Sequence, residues 1–300
     1  MDHISEISVF VQAARYGSFS AAARALDLSP SAVSKQVRRL EDRLGVRLFN
    51  RTTRKMSLTE AGRSFHQSCV RIMQELEEAE EAAGAYHQAV RGTLRVSATA
   101  AFTRINVLPH INEFLEQHPD LDLQLELTDR SVDVVAEGLD VTIRLAEQLE
   151  DPSLVARRLV TNERIVCASP DYLARHGMPK TPEDLLRHNC LTMYTLADFN
   201  DWAFEDEKGR RVIHVNGNFH ANTGDALAQA VVGGVGLARL SAWLVADALQ
   251  DGRLVHVLPE YPHSESAFYV LYPQGRYVSR KVRVFVDWLV ELFANKPSPA

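Results

Sequence analysis

Cysteine is scarce: Cys69, Cys167 and Cys190 are the only three in 300 residues. Odd in number and far apart, they fit neither a disulfide framework nor a zinc site, and they suit a reducing cytoplasm. No apolar run approaches the ~20 residues that a membrane-spanning helix needs, so no membrane partner is expected. Asp2, His3 and Glu6 follow Met1 directly, and no secretory signal is expected from such a start. The eleven histidines contain no H-x-x-x-H pair, and no G-x-S-x-G or P-loop occurs. Gly234-Val235-Gly236 lies between a helical pattern and a following strand, the reverse of a dinucleotide-binding loop. The chain is therefore not expected to be an enzyme, to hold a metal or to carry a cofactor.

What is present is ordinary globular material, 46% hydrophobic and 24% charged. The length suggests two or three units, each able to bury a core. The net charge of −6 is unevenly spread. Residues 1–65 hold eleven bases against six acids, a net of +5, so the remainder carries −11. A basic head on an acidic body is the asymmetry expected when one domain touches a polyanion.

The head reads as three helices and a hairpin. Ile7, Phe10, Val11 and Ala14 recur at helical spacing, and Gly17 is a plausible stop. Ser18 can cap a second helix, whose Ala21, Ala22, Ala23 and Ala25 let another backbone approach closely. Asp27, Leu28 and Ser29 form a break. Pro30 suits the first turn of a third helix, with Val33, Val37, Leu40 and Leu44 as its apolar stripe and Gly45 as its end. Val46–Phe49 and Lys55–Leu58 read as two short strands. The sum is a winged helix-turn-helix.

A long helix is expected from about Thr59 to about Val90. Phe65, Cys69, Ile72, Leu76, Ala79, Ala83, Tyr86 and Val90 alternate gaps of four and three, a sustained heptad. At ~1.5 Å per residue such a helix would span ~45 Å. The narrow seam favours self-association over a lone surface helix.

From Gly92 onward short strands alternate with helices. Leu94, Val96 and Ala98 mark a strand, Ile105–Gln117 a helix, and Leu121, Leu123, Leu125 and Leu127 a regularly alternating strand. Val132–Glu137 reads as a short helix and Val141–Leu145 as a strand. Ile165–Ala168 and Val235–Leu240 read as strands, Pro170–His176 and Asp225–Val232 as helices. The alternation implies mostly parallel sheets in two small α/β lobes with a cleft between them.

These stretches resemble the LysR-type transcriptional regulators over essentially the whole chain. The resemblance rests on GSFSAAARALDLSPSAVSKQVRRLEDRLGVRLFNRTTRKMSLTEAG in the head and on DRSVDVVAEGLDVTIRL, ASPDYLARHG and GVGLARL in the body. It implies an overall α/β chain: an all-α winged helix-turn-helix, a linker helix, and a two-lobed effector domain like periplasmic solute-binding proteins. The implied division is 1–58, 59–90 and 91–300, with one lobe from 91–161 plus 267–300 and the other from 162–266. Implied partners are a dyad-symmetric duplex DNA site, a small-molecule effector, RNA polymerase, and further copies forming dimers through the linker helix and then tetramers. A solute-binding receptor would share the body but would have no use for the basic head, and a purely architectural DNA-binding role would leave the two-lobed body unexplained.

A helix entering the major groove reads bases with its outward N-terminal half. The resemblance places base contacts at Pro30, Ser31, Ser34 and Lys35 and phosphate contacts at Arg38, with Ser18 and the wing residues Arg51, Thr52, Thr53 and Arg54 also on DNA. Relatives commonly have arginine at position 35. Lysine is a point donor without arginine's fork, so strict guanine readout there is not implied.

In the body, ligands sit beyond the carboxyl ends of strands, near helix N-termini. Thr99, Ala100, Phe102 and Thr103 follow the first strand and suit a carboxylate with an apolar or aromatic portion. Thr128, Arg144, Asn222 and Thr223 complete the candidate effector site. Thr99, Thr128 and Asn222 are equally open to helix capping, and Arg144 to pairing with Asp129 or Asp133. Tyr194, Phe199 and Trp202 could close the pocket or pack in a core.

Overall fold

Ser18 and Ser29 start two of the first three helices by offering an oxygen to a first-turn amide that has no partner within the helix. Ser18 Oγ accepts from Ala21 N–H at 3.4 Å, and Ser29 Oγ from Ala32 N–H at 3.1 Å. The computed structural model describes residues 3–51, 56–83, 90–146, 151–206, 209–261, 266–274 and 278–294, and they form two compact units.

The first unit carries α1 (His3–Tyr16), α2 (Phe19–Ala25) and α3 (Pro30–Leu44). Pro30 occupies the first turn of α3, and Gly45 ends it in the left-handed conformation at φ 69°. The three helices share one core, with Val33, Val37 and Leu40 of α3 fully buried against Phe10, Ala22 and Ala23. In α1 the buried positions are Val9, Phe10 and Ala13, while Ile7, Val11 and Ala14 are only half-buried.

The hairpin pairs β1 (Phe49–Arg51) with β2 (Met56–Leu58), Phe49 opposite Leu58. The first strand was expected from Val46, and it starts three residues later. Leu48 and Phe49 donate their amides to Glu41 Oε1, at 2.8 and 3.2 Å, and Val46 is exposed. The expected Lys55 start of the second strand lies outside the described residues.

Next comes α4 (Glu60–Ala83). Thr59 fastens its start: the hydroxyl donates to Arg47 O at 2.8 Å and accepts from Gly62 N–H at 2.9 Å. A Cβ at Gly62 would lie 2.0 Å from Leu48 O, so only glycine permits this approach. Of the expected heptad, Phe65 stacks at a tilt on Phe10 with centroids 5.5 Å apart, and Cys69 is buried. Ile72 is 51% exposed. Residues 84–89, including Tyr86, lie outside the described residues.

The second unit runs through β3 (Gly92–Ala98), α5 (Ala100–Asn106), α6 (Ile111–Gln117), β4 (Leu121–Leu127), β5 (Val141–Ala146) and β6 (Leu154–Asn162). It continues with β7 (Arg164–Ala168), α7 (Pro170–His176), β8 (Thr192–Met193), β9 (Asp201–Asp206) and β10 (Gly209–His214). Then come β11 (His220–Ala221), α8 (Gly224–Val232), β12 (Leu237–Ser241), α9 (Ala242–Gln250), β13 (Val255–Val257), β14 (Ser266–Pro273) and α10 (Arg280–Ala294).

One lobe is built on a five-stranded sheet in the order β4-β3-β5-β14-β6. There β3 is parallel to β4 and β5, while β14 is antiparallel to β5 and β6. The other lobe has β7 between β12 and β13, both antiparallel to it, rather than the parallel sheet expected. The reason is connectivity. Two helices and four strands separate β7 from β12, so no single crossover helix forces the two to run the same way.

Two expected helices are also corrected. Ile105–Gln117 is broken by a 3-10 turn at Leu108–His110, because Pro109 lacks an N–H and its ring crowds the preceding turn. The first half begins earlier than expected, at Ala100. Val132–Glu137 is a single turn, with Asp133 Oδ1 accepting from Ala136 N–H at 2.9 Å and Gly138 turning away at φ 64°.

Candidate nucleic-acid interface and effector cleft

Burial of Val33, Val37 and Leu40 decides which residues of α3 face outward. Pro30, Ser31, Lys35 and Arg38 are exposed and Ser34 is half-buried. Ser31 Oγ lies 2.9 Å from the capping Ser29 Oγ, so that hydroxyl is already engaged at the helix start. Ser18 is occupied in capping α2. Of the wing, Arg51 is described only as the end of β1, and Thr52, Thr53 and Arg54 lie outside the described residues.

In the second unit the chain leaves the five-stranded sheet at Asn162 and re-enters it at Ser266. The two crossings are tied together. Asn162 Nδ2 donates to Ser266 Oγ at 3.0 Å, and Ser266 Oγ donates to Asn162 O at 2.9 Å. Trp243 Nε1 donates to Asn162 Oδ1 at 2.8 Å, joining α9 to the same crossing point.

Beside this crossing a cavity of about 260 Å³ takes lining residues from both lobes. Among the described residues, four arginines, Arg130, Arg144, Arg164 and Arg239, line it with one acid, Asp129. Its apolar lining includes Met193, Leu196, Phe199, Trp243, Leu244 and Phe268. Arg144 Nη1 donates to Thr128 O at 2.6 Å and Nη2 to Ser97 Oγ at 2.7 Å, which fixes the guanidinium where β3 and β4 end. Arg164 stands over the Phe199 ring, 5.6 Å from its centroid. Arg239 is 3% exposed, and its Nη2 donates to Asp201 O at 3.4 Å. Such a lining suits a small molecule with negative charge on an apolar frame.

The candidate effector residues divide. Thr99 and Arg144 line the cavity. Thr99 does not cap α5; its hydroxyl donates to Ile143 O at 3.2 Å. Ala100 N–H donates to Asp129 Oδ1 at 2.9 Å. Phe102 does not line the cavity: it is buried behind the lining residue Phe268, stacked on that ring with centroids 3.7 Å apart. Thr103 is likewise fully buried. Thr128 contributes its carbonyl to Arg144 and its Oγ1 to the Arg130 amide at 3.3 Å. Thr223 caps α8 by accepting from Ala226 N–H at 3.4 Å, and Asn222 is exposed. Of the three candidate aromatics only Phe199 lines the cavity; Trp202 is fully buried in a core and Tyr194 is 70% exposed.

Arg130, Arg164 and Arg239 were not anticipated, and Asp129 only as a pairing partner for Arg144. A usable signal existed for Arg239, a charge inside the otherwise apolar strand Leu237–Ser241. Burial pushes the Cys69 thiol up to about 11 and both Cys167 and Cys190 to about 12, which disfavours the thiolate at all three. Among the described residues no cluster of histidine, cysteine or acids is arranged for a metal, and no helix is long and apolar enough to cross a membrane.

Comparison with known proteins agrees with this architecture. Residues 4–63 match the bacterial regulatory helix-turn-helix domain of the lysR family, and residues 87–294 match the LysR substrate binding domain. The chain is 37% identical over 291 residues to the HTH-type transcriptional regulator CrgA of Neisseria meningitidis serogroup C (strain 8013), covering 97% of each chain. It is 35% identical over 293 residues to the HTH-type transcriptional regulator DmlR of Escherichia coli (strain K12), covering 97% of this chain and 95% of DmlR. The full-length structure of AphB from Vibrio cholerae superposes with a TM-score of 0.65 at 28% identity, covering 97% of this chain and 99% of AphB.

The fold and its two sites thus define a DNA-binding regulator with an effector-binding domain. The chain belongs to the LysR family of transcriptional regulators.

Proposed function

We propose that this regulator binds a dyad-symmetric promoter site as a dimer, formed through the linker helix, and that a small organic carboxylate in the interlobe cavity modulates it. The observation that carries the effector class is the cavity lining, four arginines to one acid over an apolar floor. A carboxylate takes guanidinium donors in a fork, and an aromatic or aliphatic remainder fits against Phe199, Trp243 and Leu244. The proposed domains are 1–58, 59–90 and 91–300, with lobes exchanging near Thr161 and Ser266. Pairs of dimers form tetramers in this reading, and the protein works in the cytoplasm on the nucleoid, in reach of RNA polymerase.

Base reading falls to the exposed Lys35 and half-buried Ser34, with Pro30 and Ser31 at the helix start, while Arg38 and the wing residues Arg51, Thr52, Thr53 and Arg54 hold phosphate or the minor groove. Ser18 is expected to present the start of α2 to the backbone. Effector binding changes how the effector domains pack, which alters the spacing of the heads along DNA.

Two variants separate these roles. Lys35→Ala is expected to lose about 1–3 kcal/mol on the operator and much less on random DNA. Arg54→Ala is expected to weaken both alike and to reduce the salt slope by about one. Fluorescence anisotropy on operator and scrambled duplexes across a salt series makes the comparison. Equal losses for Lys35→Ala on both duplexes would remove it from base reading.

A further inference from the structure

Asp129 follows β4 in one lobe, yet its carboxylate is shared between two helices of different lobes. Oδ1 accepts the Ala100 amide at the start of α5, at 2.9 Å, and Oδ2 accepts the Gly224 amide at the start of α8, at 3.2 Å. Both amides belong to a first helical turn, so neither has a partner within its own helix. The same pair of helices is joined again one turn on. Arg104 Nη2 of α5 meets both carboxylate oxygens of Asp225 of α8 at 3.0 Å. That ion pair is more than a third exposed on each side, which makes it the weaker and more salt-sensitive of the two links.

We propose that Asp129 is an interlobe latch: one carboxylate holds the starts of α5 and α8, and with them the two lobes, together beside the cavity. The arrangement uses a side chain with two acceptor oxygens, and aspartate supplies them at a position that reaches both helix starts. An entering ligand that parts α5 from α8 has to break this bridge first. The latch stands independently of the effector class proposed for the cavity.

Hydrogen–deuterium exchange on the full-length protein, without ligand, tests it. In the wild type the peptides covering 98–104 and 222–228 are expected to exchange slowly at Ala100 and Gly224. Asp129→Ala is expected to speed exchange at both positions by ~10-fold or more. Asp129→Asn, near-isosteric with one acceptor oxygen left, covers the case in which the alanine variant does not fold, and it is expected to release at least one of the two amides. Asp225→Asn is expected to leave both protected. The latch is overturned if Asp129→Ala releases only the α5 amide, if Asp129→Asn leaves both at wild-type rates, or if Asp225→Asn alone reproduces the Asp129→Ala pattern.

Discussion

Replacing Arg144 with alanine is expected to weaken effector binding about 10- to 150-fold, the loss of a charge-assisted hydrogen bond worth about 1.5–3 kcal/mol. The guanidinium is fixed before any ligand arrives, because Thr128 O and Ser97 Oγ hold two of its nitrogens at 2.6 and 2.7 Å. A ligand carboxylate therefore meets a donor whose ordering cost has already been met by the fold. The same two bonds mean that alanine also strips a donor from a half-buried carbonyl, so a modest fall in melting temperature is expected alongside. Arg144→Lys separates the two effects. It keeps the charge but not the fork, and is expected to recover part of the affinity. Isothermal titration with the metabolite nominated by the regulated operon gives the measurement, and operator affinity without that metabolite is expected to stay at the wild-type value. Unchanged effector affinity in Arg144→Ala would put the anion elsewhere.

Gly62→Ala is expected to cost the DNA-binding head about 3 kcal/mol or more, beyond the usual range for a surface helix position. The added methyl would sit 2.0 Å from the Leu48 carbonyl oxygen, a backbone atom that is unable to rotate away. The contact is also surrounded. Thr59 N–H donates to Leu48 O at 2.9 Å and Thr59 Oγ1 donates to Arg47 O at 2.8 Å, so the segment before β1 is pinned to the start of α4 on both sides. Relief requires moving the helix or the wing root, and either disturbs the hairpin that carries Arg51 and the following wing residues. Thermal melting and operator binding should fall together. A melting temperature within a degree of wild type would show that the two segments separate freely.

How much of this was legible in the sequence depends on the distance over which each feature is decided. The bounds of α3 could be read from Ser29, Pro30 and Gly45, since capping, a first-turn proline and a left-handed glycine are local events. The alternating leucines of β4 were equally plain. The late start of β1 was not, because it depends on Glu41, whose carboxylate takes two amides seven and eight residues away. The break at Pro109 was legible in principle: proline in a helical pattern interrupts it at that point. The antiparallel sheet of the second lobe is a matter of connectivity that periodicity does not encode.

At the cleft the same rule applies. Arg144 and Thr99 could be found from the strand-end argument, because both lie where a predicted strand finishes. Asp129 acts on amides 29 and 95 residues away, and the second of these is on the other lobe. No short-range pattern distinguishes such an aspartate from an ordinary loop acid. The placement of Phe102 was hidden for a related reason. An aromatic at the start of a helix looks the same in sequence whether its ring lines a cleft or, as here, is buried behind a lining residue, Phe268.

A basic winged helix that reads a specific DNA sequence has to select its sites against all other DNA in the cell. Sequencing the DNA bound by the protein in cells, beside the Lys35→Ala variant, measures that selection. The expected result is a dyad-symmetric motif enriched upstream of a small number of genes and weakened in the variant. Uniform coverage without a motif, or an identical motif at identical strength in both proteins, would contradict it.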